Sequence, residues 1–211
     1  MSNRDSAGRE HGNPLDSGMA EAVATSTGAS TVVLVEGSSD QAALEALASR
    51  HGRDLVAEGV SILPIGGATN VGHYLDLLGP RGLGIQLAGL CDVGEEGDFR
   101  HGLERTGVGS NLTREGMEAL GFFVCVLDLE DELIRSLGAA SVEQVVDDQG
   151  DLGSFHIFQK QPAQRDRTVE AQLRRFMGTR SGRKINYARL LVEALDLTQV
   201  PRPLDGVLAY V

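Results

Sequence analysis

The chain has 211 residues, 41% hydrophobic and 23% charged, which suits one folded domain with appendages and excludes a mainly disordered or collagen-like protein. It contains no run of about 18 apolar residues, so no transmembrane helix is expected. A net charge of −11, with 4% aromatics and no Trp, argues against binding nucleic acid through bulk charge or by stacking bases on an aromatic sheet.

Residues 1–30 are polar, rich in Gly and Ser and without periodicity, and read as a disordered leader. Thr31-Val-Val-Leu-Val35 is a β-branched run expected to form a buried strand. Gly37-Ser38-Ser39-Asp40 then turns into a helix with Leu44, Leu47 and Ala48 on one face, and Ser38 with Gln41 fits a capping box. The pattern repeats. Val60–Ile65 is a second strand, Gly66-Gly67 a turn, and Asn70–Leu78 a short helix stopped at Gly79-Pro80. Gly84–Cys91 is a third strand that ends at Asp92. A polar stretch with two short helices follows, then a fourth strand, Gly121–Leu127, and a helix over Leu129–Leu137. After residue 140 only helices are expected, over Val142–Gln149, Arg167–Met177 and Arg183–Leu195. The last carries an apolar stripe of Ile185, Ala188, Leu191, Val192 and Leu195. Pro201 and Pro203 mark a final turn.

Strands alternating with helices predict an α/β fold: about four parallel strands flanked by helices over residues 31–140, with a helical C-terminal extension over 141–211 packed on it. Cys91 and Cys125 sit inside apolar runs and read as small buried hydrophobes, not as a disulfide or zinc site. The start of the chain has no apolar core behind a basic segment, so no secretory signal is expected and a reducing, cytoplasmic location is the default.

Charge is unevenly placed. Residues 92–151 hold 15 Asp or Glu against 4 Arg, whereas residues 156–189 hold 9 Lys or Arg against 2 acids. Such a division suits carboxylates that hold a cation beside cations that hold an anion; it also suits two solvated faces of different sign. Glu36 follows the first strand and Asp92 the third, so in a parallel sheet both stand at the same edge, where sites form. Asp40 lies in the first turn of the adjoining helix. Carboxylates gathered there repel one another unless a divalent cation lies between them, and Mg²⁺ suits hard oxygen ligands that also bridge to phosphate. Glu95, Glu96 and Asp98 read as a solvated loop, and Asp131 with Arg135 as a surface i,i+4 pair. Lys184 heads a helix, where a cation is mildly misplaced for the dipole. Arg174, Arg175, Arg180 and Arg183 precede it, as a solvated face or a track of phosphate contacts.

Val33-Leu-Val-Glu36-Gly-Ser-Ser-Asp40, followed by an Ala/Leu helix, resembles the first motif of the TOPRIM domain, in the variant found in OLD-family (overcoming lysogenization defect) endonucleases. The likeness continues through Gly66-Gly67 with Asn70, Asp92, Leu129-Glu130 and the Lys184 helix, over roughly residues 31–196. The resemblance implies a TOPRIM-like Rossmannoid domain that performs Mg²⁺- or Mn²⁺-dependent phosphodiester hydrolysis on nucleic acid, chiefly DNA. It implies Glu36, Asp40, Asp92 and Glu130 as metal ligands, Glu36 also as general base, and Lys184 facing the scissile phosphate. Arg180 and Arg183 are the accompanying candidates for substrate contact. Two departures stand out. The Asp-x-Asp motif reads Asp92-Val93-Gly94, with Glu95 and Glu96 as substitutes of longer reach, and no P-loop is present, so an ATPase is expected to be a separate chain or absent. The alternatives are a weakened TOPRIM binding module in an ATPase complex and another Mg²⁺-dependent phosphohydrolase. An oligomer is compatible with all of these readings.

Overall fold

A computed structural model describes residues 28–180 and 182–211. The leader expected over residues 1–30 lies, up to residue 27, outside the described residues. Residues 28–30 already belong to the folded part: Ala29 is buried, and Ser30 N donates to Gly59 O at 2.8 Å.

Four strands form one parallel sheet: β1 (Thr31–Val35), β2 (Val60–Pro64), β3 (Gln86–Asp92) and β4 (Phe122–Cys125), in the order β2-β1-β3-β4. The register sets Val35 beside Pro64 on one side and Leu90 on the other, so β1 and β3 end side by side. All five β1 residues are buried, because both faces of the sheet are covered. Val33 and Val35 join one apolar cluster, Val32 and Leu34 another on the opposite face. Each such aliphatic side chain contributes roughly 1.5–3 kcal/mol by leaving water.

The second face is covered by α2 (Val71–Leu78), α3 (Glu96–Thr106) and α4 (Arg114–Ala119), through Leu75, Leu78, Phe99, Leu103 and Met117. The first face is covered by α1 (Ser38–Arg50) and by the helices that follow β4. These are α5 (Leu129–Leu137), α6 (Ala139–Asp148), α7 (Leu152–Gln159), α8 (Val169–Met177), α9 (Arg183–Ala194) and α10 (Arg202–Tyr210). The helical extension is therefore part of the core. Its α9 packs on α1 more extensively than any other pair of elements, and Arg50 Nη1 at the end of α1 donates to Val192 O at 2.8 Å and Leu195 O at 2.6 Å. Val192 O also accepts the Leu195 N–H at 3.2 Å, and a cation at this end of α9 suits the helix dipole.

Several local expectations change. The N-cap of α1 is Gly37 in extended conformation, not Ser38, and the Asp40 carboxylate accepts the Gly37 N–H at 2.9 Å. Gly66 and Gly67 adopt φ of 70° and 119°, which only glycine enters freely, and a 3₁₀ turn over Ala68–Asn70 precedes α2. β4 stops at Cys125 because the next N–H, that of Val126, donates to Glu132 Oε1 at 2.7 Å instead of continuing the ladder. Ile185 is exposed and leaves the α9 stripe, which the other four residues maintain. Pro201 and Pro203 begin α10 where a final turn was expected; Pro suits the first helical turn, whose N–H groups have no partner in any case. The segment before α8, for which no element was expected, contains α7. Cys91 and Cys125 are both free and buried, and among the described residues no helix is long and apolar enough to cross a membrane.

Candidate metal centre

The parallel pairing of β1 and β3 brings their carboxyl ends together, and the chemistry collects there. Glu36 is the first residue past β1 and Asp92 the last of β3. The Asp92 N–H donates to Glu36 Oε1 at 2.7 Å, a backbone contact that fixes the Glu36 side chain against the neighbouring strand. A tight turn follows β3, with Glu95 N bonded to Asp92 O at 3.0 Å, and returns Glu95 to the same place. Oxygen atoms of Glu36, Asp92 and Glu95 all lie within 4.8 Å of one another, and each residue is half-buried.

Two further carboxylates stand behind this trio. Asp40 is buried in the first turn of α1, and Glu130 is buried in the first turn of α5. One oxygen of Glu130 meets Lys184 Nζ at 3.2 Å; the other, Oε1, is buried with no hydrogen-bond partner. A buried carboxylate oxygen without a donor is costly unless something positive occupies the space beside it.

Electrostatics says the same. Burial pushes the Asp92 pKa up to about 8, with the Glu36, Asp40 and Asp128 carboxylates adding to the effect. Burial pushes Asp40 up to about 7 against the opposing Gly37 hydrogen bond, with help from Glu130. Glu36 is raised by burial and by Glu95 in spite of the Asp92 hydrogen bond. Glu130 is raised by burial in spite of Lys184. Burial works to lower the Lys184 pKa, yet attraction to Glu130, Asp40 and Asp92 prevails and the net direction is up. These acids resist ionising together with one ammonium among them. A divalent cation removes that conflict, and an all-oxygen donor set fits a hard ion.

Of the expected ligands, Glu36 and Asp92 converge; Asp40, which accepts the Gly37 N–H, and Glu130, against Lys184, lie outside that group but act on one another electrostatically. Glu95, read from the sequence as a loop residue or a substitute of longer reach, stands with Glu36 and Asp92. Its neighbour Glu96 does not: it is held by Arg114 and by Arg100, the latter at 3.5 Å. Arg183, expected at the substrate, is engaged elsewhere. Its side chain is 7% exposed, bonds Asp151 at 3.1 Å and lies 4.2 Å over the Phe176 ring. Arg180 is exposed on the turn between α8 and α9.

Comparison with known proteins bears directly on this edge. Residues 29–93, which span β1 to β3 with Glu36, Asp40 and Asp92, match the family described as overcoming lysogenization defect protein-like, TOPRIM domain. Over this segment the chain is similar to an OLD-like TOPRIM domain. The C-terminal region of the Burkholderia pseudomallei OLD protein superposes with a TM-score of 0.67 at 20% identity, over 86% of this chain and 96% of that one. The C-terminal region of the Xanthomonas campestris pv. campestris OLD protein does so with a TM-score of 0.68 at 24% identity, over 87% and 92%. At these identities the likeness is one of fold, and it takes in the helical extension as well as the sheet. No curated protein matches the chain by sequence. TOPRIM domains generally bind divalent metal, and the acidic cluster stands at the edge that the matched segment builds.

Proposed function

We propose that this OLD-like TOPRIM domain hydrolyses phosphodiester bonds in DNA, with Mg²⁺ or Mn²⁺ held by Glu36, Asp92 and Glu95 and supported by Asp40 and Glu130. The observation that carries this reading is the convergence of Glu36, Asp92 and Glu95 oxygens within 4.8 Å at the carboxyl edge of the sheet. When bound, such an ion polarises a phosphate oxygen and acidifies water. Glu36 is the general base in this reading. Burial raises its proton affinity, which suits a group that must take a proton near neutral pH, and the Asp92 N–H holds it in position. Lys184, cationic and partly open to solvent, supplies positive charge to the phosphorane. Glu95 offers the carboxylate that Gly94 lacks, which favours catalysis over a role in binding alone. A separate ATPase chain fits as a partner.

The test is incubation of the purified protein with supercoiled plasmid and Mg²⁺ or Mn²⁺. Nicked and linear products that disappear with EDTA support the reading. An inert protein on both DNA and RNA with either metal sinks it.

A further inference from the structure

Beside the carboxylate edge lies a cleft of about 530 Å³ between the start of α5, the length of α8 and the head of α9. We propose that this cleft binds the phosphate backbone of a nucleic acid several nucleotides long, without reading its bases. The proposal rests on the nuclease reading above and concerns how the substrate is held away from the reacting phosphate.

The cleft adjoins the carboxylate edge, since Lys184 lines it and is drawn electrostatically to Asp40 and Asp92 as well as to Glu130. Its remaining charge is positive. Arg174 Nε is paired with Asp128 Oδ2 at 2.5 Å, so the one other acid in the lining is neutralised. Arg167 and Arg175 are exposed and pair with no acid among the described residues; Arg167 Nε bonds only the Ala163 carbonyl, at 3.0 Å. This distinguishes them from other cations of the basic segment, such as Arg183 on Asp151 and Arg189 on Glu193. The surface also continues past the cleft. Across the turn over residues 160–168, the cations Lys160 and Arg165 line a second depression together with His156, Gln159 and Gln172. Cations arranged in succession from a reacting centre fit a polymer of phosphates better than a single phosphate.

The lining offers no surface on which a base could stack. Phe158, the one aromatic there, is 8% exposed and packs on Phe176 at 5.6 Å. The six Phe and three Tyr of the chain are all among the described residues, and only Tyr210 reaches the exposed class, on α10, where its ring lies beside Gly121. A stacking platform for bases is therefore missing, and phosphate contact alone carries affinity but no sequence information.

The experiment measures binding by fluorescence anisotropy in EDTA, with a labelled oligonucleotide and an abasic phosphodiester oligomer of equal length. The two probes should bind within about threefold of one another, since bases add no contact. Arg167→Glu/Arg175→Glu should weaken both by at least about tenfold and lower the salt slope by ~2. Arg175→Ala, a milder change on an exposed side chain, should lower that slope by ~1. Arg189→Glu alters a paired cation outside the cleft and should leave binding unchanged. The proposal is overturned if the double variant binds like wild type, if Arg189→Glu weakens binding equally, if the abasic oligomer fails to bind, or if polyglutamate competes as well as the oligonucleotide. Calorimetry with Mn²⁺ alone separates this from the nuclease reading. A protein that takes up no Mn²⁺ and cuts nothing, yet loses oligomer binding on Arg167→Glu/Arg175→Glu, keeps the cleft and loses the nuclease.

Discussion

At the carboxyl edge of the sheet, acids stand together without enough cations; in the helical extension, Arg174, Arg183, Arg189 and Arg202 each stand paired with an acid. Glu36, Asp92 and Glu95 crowd within 4.8 Å while Arg183, Arg174 and Arg189 each hold a carboxylate. Repulsion at the edge raises proton affinities and leaves Glu130 Oε1 without a donor, features that weaken a protein unless a ligand relieves them. Pairing in the extension fixes α7, α8 and α9 around Phe176 and gives the edge a rigid wall carrying Lys184. One region stores the conflict and the other positions the charge that answers it.

The sharpest way to break the contrast is Glu36→Gln. The swap keeps size and the acceptor for the Asp92 N–H but removes a charge and the proposed base. Cleavage of plasmid should fall by about 10²–10⁴-fold, the range for loss of a general base, while the melting temperature holds or rises as repulsion eases. Retained cleavage would remove Glu36 from the chemistry. Next in size is Lys184→Ala, which takes away the cation nearest Glu130. We expect cleavage about 10²-fold slower, comparable to losing one donor to a developing anion. Oligonucleotide affinity should change far less, and an equal loss in both would make Lys184 a binding residue only.

The edge should also announce itself in stability. Asp40 and Asp92 titrate at about 7 and about 8 when folded, against about 3.9 unfolded. Between these values the folded state holds more protons than the unfolded one, so the contribution is complete below about pH 4 and is lost as pH rises through 7–8. Without metal, the protein should melt lower at pH 8.5 than at pH 6. Added Mg²⁺ competes with those protons, so its stabilisation should grow over the same interval. At a concentration a hundredfold above its dissociation constant it should add about 2.7 kcal/mol, or about 5–10 °C in thermal melts. A metal effect independent of pH would mean that the ion binds elsewhere.

The strand edge was legible because its logic is local. Apolar runs end in Glu36 and Asp92, and parallel pairing follows from the helices between them. The extension was less so, since its roles depend on partners distant in sequence. Arg183 finds Asp151 32 residues away, and nothing in the local pattern separates it from Arg175. Glu95 and Glu96 are indistinguishable as neighbours; only the turn after β3 directs one inward and hands the other to Arg114. Helix α10 was hidden by two prolines that read as a stop but serve as a start. Glu130, chosen over Asp128, Asp131 and Glu132 through resemblance, is the one of the four that Lys184 contacts, whereas Asp128 caps α5 and Asp131 pairs with Arg135.

Gly94→Asp sharpens the comparison with the smallest expected effect. Position 94 lies in the turn between Asp92 and Glu95, and a Cβ built there meets no atom within 4 Å, so a side chain fits without displacing its surroundings. Its backbone lies outside the positive-φ region, so the substitution brings no left-handed strain. The new carboxylate would enter an edge already short of positive charge. Without metal, the variant should be no more stable than wild type and should lose more stability as pH rises. With metal, an added anionic oxygen should tighten Mg²⁺ binding by about tenfold, ~1.4 kcal/mol, read by calorimetry. If Glu95 already supplies the third carboxylate, cleavage should change little in Gly94→Asp and fall in Glu95→Gln. Rescue of Glu95→Gln by Gly94→Asp would show that the two positions serve one ligand site. Additive losses in the double variant would instead assign Glu95 a separate task and leave the metal with Glu36 and Asp92.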